Sequence, residues 1–173
     1  MAYSAIAVAN AFIDKAKKIG ITDLTPMKLQ KLIYFAHAWS LAVSGEPLIT
    51  DKIKAWRFGP VIESVYHEFK SFGSNNITKH GTEFIFDNDD DNLIKARFSA
   101  SKIDKNDEYA NSLIDAVLDV YGDKNAFFLS NITHKPGSAW DVTKENHHNG
   151  DVRGYVIPNN IIEETTKREL EIE

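Results

Sequence analysis

Six histidines are the first residues to test for chemistry: His37, His67, His80, His134, His147 and His148. No pair has the H-E-x-x-H spacing that puts two imidazoles on one helix face for zinc. His147 and His148 are adjacent, so they project in different directions in either regular structure. They read as a surface pair. The run Asp87-Asn88-Asp89-Asp90-Asp91-Asn92 puts carboxylates at the first, third and fifth positions of a calcium loop. The glycine position is Asn92, and the position of the bidentate carboxylate is Phe98. The run therefore reads as a solvated acidic loop.

Catalytic signatures are missing in the same way. Gly122-Asp123-Lys124 lacks the upstream glycine of a phosphate loop, and the chain contains no G-x-G-x-x-G. It contains no G-x-S-x-G elbow either, and Glu163-Glu164 sits in a charged, solvent-facing pattern. With no cysteine there is no thiolate nucleophile, disulfide or cysteine-ligated zinc. No catalytic, cofactor-binding or metal-ligating residue is assigned, and the chain is expected not to be an enzyme. Lys15, Lys17, Lys18, Lys28 and Lys31 form the one basic concentration in a chain of formal charge −5. Without a recognition motif they read as a solvated helix face, and nucleic acid is not an expected partner.

The elements that would position these residues are mostly helical. The 173 residues, 43% hydrophobic and with 10 Phe, 6 Tyr and 3 Trp, suffice for one domain with a sizeable core. The start has no basic n-region and no span long enough for a membrane, so a cytoplasmic protein is expected. Ile6, Ala9, Phe12, Ile13, Ala16 and Ile19 recur at helical spacing over about 4–19. Thr25-Pro26 reads as an N-cap and first-turn proline opening a second helix over 26–44, with Gly45 as its stop. That helix is apolar nearly all round. It is either central to the core or partly covered by a partner. Pro60 is expected to open a third helix over 60–72. Residues 82–86 read as a strand, and 93–99 as a second strand or short helix, in a loose acidic insertion at 74–106. Helical pattern returns over 107–121, Asp123 would cap the next helix, and 155–157 is extended before a charged final helix. The fold class is mainly α, with a minor strand component, around a central helix at 26–44.

Three stretches combine aromatic, Gly-Pro and basic residues. They are Met27-Lys28-Leu29-Gln30-Lys31-Leu32-Ile33-Tyr34-Phe35-Ala36-His37-Ala38-Trp39, then Ile53-Lys54-Ala55-Trp56-Arg57-Phe58-Gly59-Pro60-Val61-Ile62-Glu63-Ser64-Val65-Tyr66, then Leu129-Ser130-Asn131-Ile132-Thr133-His134 with Pro136 and Trp140. In that order and spacing the chain resembles the Panacea domain, the family of the SocA-like antitoxins and the GepA-like mobile-element proteins. The resemblance covers about 5–165 and leaves 166–173 as a charged tail.

The resemblance implies an antitoxin that neutralises a cognate protein toxin by direct binding. Its alternatives are an adaptor delivering the toxin to a AAA+ protease and a phage or mobile-element protein bound to a host factor. None of these needs a catalytic residue. Lys28, Lys31, Tyr34, Trp56, Thr133, His134 and Trp140 are the expected partner-binding residues, each with a structural role as its competitor. Gly59 and Pro60 are expected to shape the backbone. The net acidity would steer the chain toward a basic toxin.

Overall fold

The computed structural model describes residues 2–88, 94–147 and 154–172. Asp89, Asp90, Asp91 and Asn92 of the acidic run, His148, and the 149–153 stretch after it lie outside the described residues. Seven helices and two small two-stranded sheets occur among the described residues, which is the expected mainly α fold.

Helix α1 (Ala5–Lys18) starts where the Ser4 hydroxyl accepts from the Ala7 amide at 3.1 Å. Its apolar stripe, from Ile6 to Ala16, is buried. Asn10 interrupts the stripe and is itself buried. Its amide side chain donates to the carbonyls of Gly81 and Ser101 and accepts from the Gly81 amide. One polar residue thus ties both ends of the loose insertion to the core, and its polar atoms have partners in place of water.

Helix α2 (Pro26–Ser44) is the centre of the molecule. Thr25 caps it, Pro26 occupies its first turn, and Gly45 ends it at φ 71°. It packs against α1, the helices Glu63–Phe69, Glu108–Tyr121, Ala126–Thr133 and Asn159–Leu170 and the strand Gly59–Ile62, which explains why it is apolar on every side. His37 shows how completely it is enclosed. The Ile49 amide donates to its Nδ1, so Nε2 carries the proton and donates to Asn159 Oδ1 at 3.1 Å. Burial holds its pKa below the ordinary histidine value.

Two expectations need correction after α2. Pro60 does not open a helix. Strands β1 (Ile53–Trp56) and β2 (Gly59–Ile62) form an antiparallel hairpin with Trp56 opposite Gly59, so Arg57-Phe58 is a two-residue turn. Proline's fixed φ suits this ladder position as well as a helical first turn, and Gly59, at φ 101°, makes the turn possible. Helix α3 (Glu63–Phe69) begins only after the hairpin, and a short 3-10 turn (Lys70–Phe72) follows it. The second correction concerns Asp123: helix α5 (Ala126–Thr133) is capped by the Asn125 side chain, which accepts from the Phe128 amide at 2.9 Å.

Between these, β3 (Glu83–Asn88) and β4 (Ile94–Ser99) pair as a second antiparallel hairpin, and α4 (Glu108–Tyr121) packs on α2. Helix α6 (Ala139–Asn146) follows the Ser138 cap and has no counterpart among the elements expected from the sequence. The extended residues Tyr155 and Ile157 run beside β1, with Ala55 donating to Tyr155 O and Ile157 to Ile53 O. Helix α7 (Asn159–Leu170) closes the fold. Residues 166–170 belong to this charged final helix, and Thr166 is buried. No helix among the described residues is long and apolar enough to cross a membrane.

Candidate functional site

The three sequence motifs meet at the β1–β2 turn. A tight turn leaves carbonyl oxygens with no ladder partner, and each must find a donor. Here side chains from α2, α5 and α6 supply them. Trp140 Nε1 donates to Trp56 O at 2.8 Å. His134 Nε2 faces Arg57 O at 3.1 Å, and its Nδ1 faces Ser130 O at 2.6 Å. A neutral ring can donate only one of those two bonds at a time. Ser130 Oγ donates to Phe58 O at 3.0 Å. Lys31 Nζ donates to Phe58 O at 2.7 Å and to Pro60 O at 3.2 Å.

The outer edge of β2 is closed in the same manner. The Gln30 carboxamide accepts from Ile62 N and donates to Ile62 O, both at 2.9 Å, imitating a neighbouring strand. Gln30 and Lys31 are consecutive on α2. The Gln-Lys pair of the first motif therefore holds the Gly-Pro strand of the second. Gly59 is the point of closest approach. A Cβ there would stand 2.6 Å from Lys31 Nζ, 2.6 Å from Thr133 Oγ1 and 3.2 Å from the His134 ring.

Lys31 is buried, and desolvation lowers its pKa to about 7. A neutral amine still has two N–H groups, one for each carbonyl it holds. The unfolded lysine stays protonated to about 10.5, the ordinary value. Between those two values the unfolded chain binds a proton that the folded chain has released, so stability rises with pH across the window. The wild-type chain should gain on Lys31→Met by up to about 1.4 kcal/mol per pH unit between pH 7 and 10. Urea midpoints at several pH values read the difference, and parallel curves for the two proteins would contradict it.

The expected site residues divide accordingly. Lys31, Trp56, Gly59, Pro60, Thr133, His134 and Trp140 come together at the turn. Lys28 and Tyr34 do not, and the expectation that they face a partner is corrected. Lys28 is fully buried, with its Nζ between Asp23 Oδ1 (2.6 Å) and Gly122 O (2.7 Å). There it fastens the α1–α2 loop to the carbonyl end of α4, where a cation is favoured. Tyr34 is buried edge-on to Phe35, and burial raises its pKa. Thr133 is buried too. It donates to Ser130 O and packs on Gly59.

The turn faces an open groove of about 1020 Å³. Trp56 and Tyr66, edge to face at 4.9 Å, form one wall with Val61, and Trp140 and Met27 also line it. Phe58 stands 60% exposed at the tip, with the Arg57 guanidinium over its ring at 5.5 Å. Lys144 lies 5.3 Å from the Trp140 ring centroid. The groove holds large aromatic anchors, Trp56, Tyr66 and Trp140, of the kind that serve in binding. No cluster of three or more metal-ligating side chains occurs among the described residues.

Sequence reasoning misses Gln30, Ser130, Tyr66, Lys70 and Lys144. Gln30 carries a signal, being a polar residue inside a helix apolar on every side. Lys144 carries none, because its place beside Trp140 depends on the unanticipated helix α6.

The sequence model of the family described as "Antitoxin SocA-like, Panacea domain" matches residues 29–141, from the leucine of Leu29-Gln30-Lys31 to just past Trp140. Antitoxin SocA of Caulobacter vibrioides (strain NA1000 / CB15N) is 34% identical over 136 residues, covering 79% of this chain and 68% of that protein. No solved structure matches the chain. The matched segment contains every residue of the cradle around the turn, and the chain belongs to the SocA-like Panacea family of antitoxins.

Proposed function

We propose that this chain neutralises a cognate protein toxin by binding it directly, without catalysis, through the β1–β2 turn and the groove beside it. One observation carries the reading: the motif residues are used to hold backbone carbonyls of the turn, which leaves Trp56, Arg57 and Phe58 presented on a rigid support. Preorganising a loop in its bound shape lowers the entropy lost on association. The kinship to an antitoxin supplies the partner's class.

The test is co-expression with the product of each gene adjacent to the one that encodes this chain. Growth arrest by one such product, relieved by this chain, and co-purification of the two are expected. Neighbours that are harmless, or toxic but neither relieved nor captured, would sink the reading. Toxin half-life in the same cells separates the two routes to relief. An unchanged half-life fits blocking, and a half-life shortened only when this chain is present fits delivery to a AAA+ protease.

A further inference from the structure

We propose that the groove receives an acidic, aromatic-bearing extended segment of the toxin and reads its carboxylates and its rings together. This rests on the antitoxin reading above and names what the same face recognises.

The groove reverses the sign of the molecule. The chain has a formal charge of −5, yet the three charged residues at the open face of the groove, Arg57, Lys70 and Lys144, are all basic, with the buried Lys31 amine behind them. No Asp or Glu lines it. Arg57, Lys70 and Lys144 form no ion pair with a carboxylate among the described residues, whereas Lys15, Lys28, Lys54, Lys124 and Lys167 each do. Cations left unpaired around an apolar cleft are complementary to a partner that carries carboxylates between hydrophobic side chains.

The spacing of charge and ring points the same way. Arg57 and Lys144 each lie over an aromatic ring, so cation and apolar surface alternate within one side chain's reach. Tyr66 and Trp56 add further ring surface. Recognition has to proceed through side chains, because neither edge of the hairpin is open to an added strand. Tyr155 and Ile157 occupy the β1 edge, and Gln30 and Lys31 occupy the carbonyls of β2. The groove's aliphatic contribution from Met27, Val61 and Pro26 suits amino-acid side chains better than a phosphodiester backbone. The acidity of the chain as a whole opposes a long polyanion.

The experiment is selection of a random displayed peptide library on the full chain, with a fluorescent thymidine oligonucleotide titrated in parallel. Selected peptides should be acidic and aromatic, and their binding should weaken with salt. It should fall at least about tenfold, or 1.4 kcal/mol, in Arg57→Glu/Lys70→Glu/Lys144→Glu. Lys70→Gln, at an exposed position, gives a milder variant should the triple change disturb folding. Neutral or basic selected peptides, no enrichment, or binding indifferent to these substitutions would overturn the proposal. Tighter binding of the oligonucleotide would also overturn it, in favour of single-stranded nucleic acid. The co-expression result is read separately. Rescue with basic selected peptides removes only this inference, and acidic peptides without rescue remove only the antitoxin assignment.

Discussion

Gly59→Ala lowers the stability of the fold by about 2–5 kcal/mol, seen as a large drop in the urea midpoint. Two costs combine. The residue sits at φ 101°, a conformation that side chains with a Cβ rarely adopt. The added carbon would also stand 2.6 Å from both Lys31 Nζ and Thr133 Oγ1. The lysine is long, and in open solvent its tip would swing aside at little cost. Here it is buried and bonded to Phe58 O and Pro60 O, so moving it strands Pro60 O and leaves Phe58 O with Ser130 Oγ alone. Thr133 is short, β-branched and itself bonded to Ser130 O, so it cannot yield. An alanine at Gly45 serves as the comparison. That glycine also has positive φ, but a Cβ there meets nothing within 4 Å, so only the backbone cost applies. A Gly59→Ala midpoint equal to that of Gly45→Ala would show that the close approach carries no energy.

Helices with their own punctuation are legible in the sequence. Thr25-Pro26 and Gly45 delimit α2 because capping and proline geometry are local effects. The all-round apolar character of α2 points to its central position, though not to the choice between core and partner groove. Enclosure by other helices decides that choice for Tyr34 and Lys28 in favour of the core. The hairpin is hidden at Pro60 because proline's φ is common to a helix start and a strand. The competing information, Gln30 imitating a strand from 32 residues away in sequence, is tertiary. The same distance hides the common purpose of the motifs. Lys31, Gly59 and Thr133 are an ordinary charge, turn residue and hydroxyl until folding brings them within van der Waals reach. Lys28 misleads for a related reason. Lysine is seldom fully buried, and only the carbonyl of Gly122 and the carboxylate of Asp23 make its interior position tolerable.

Trp56→Ala weakens toxin binding about 100-fold while leaving the fold nearly as stable as that of the wild type. The side chain is half-buried and stands in the groove wall against Tyr66, where a large aromatic makes a binding anchor. Its contribution to the cradle, by contrast, is its backbone carbonyl, which alanine keeps, so the Trp140 bond survives. Anchors of this kind are worth about 2–4 kcal/mol when truncated, hence the size of the effect. The control is Val43→Ser. Val43 is 63% exposed on α2, about 18 Å along the helix from Lys31.

Calorimetric titration of the purified chain with the toxin that the co-expression experiment identifies tests the role of this face most directly. The account predicts wild-type affinity for Val43→Ser and an approximately 100-fold loss for Trp56→Ala, with the melting temperatures of all three proteins close together. Full affinity in Trp56→Ala, or an equal loss in Val43→Ser, would contradict it.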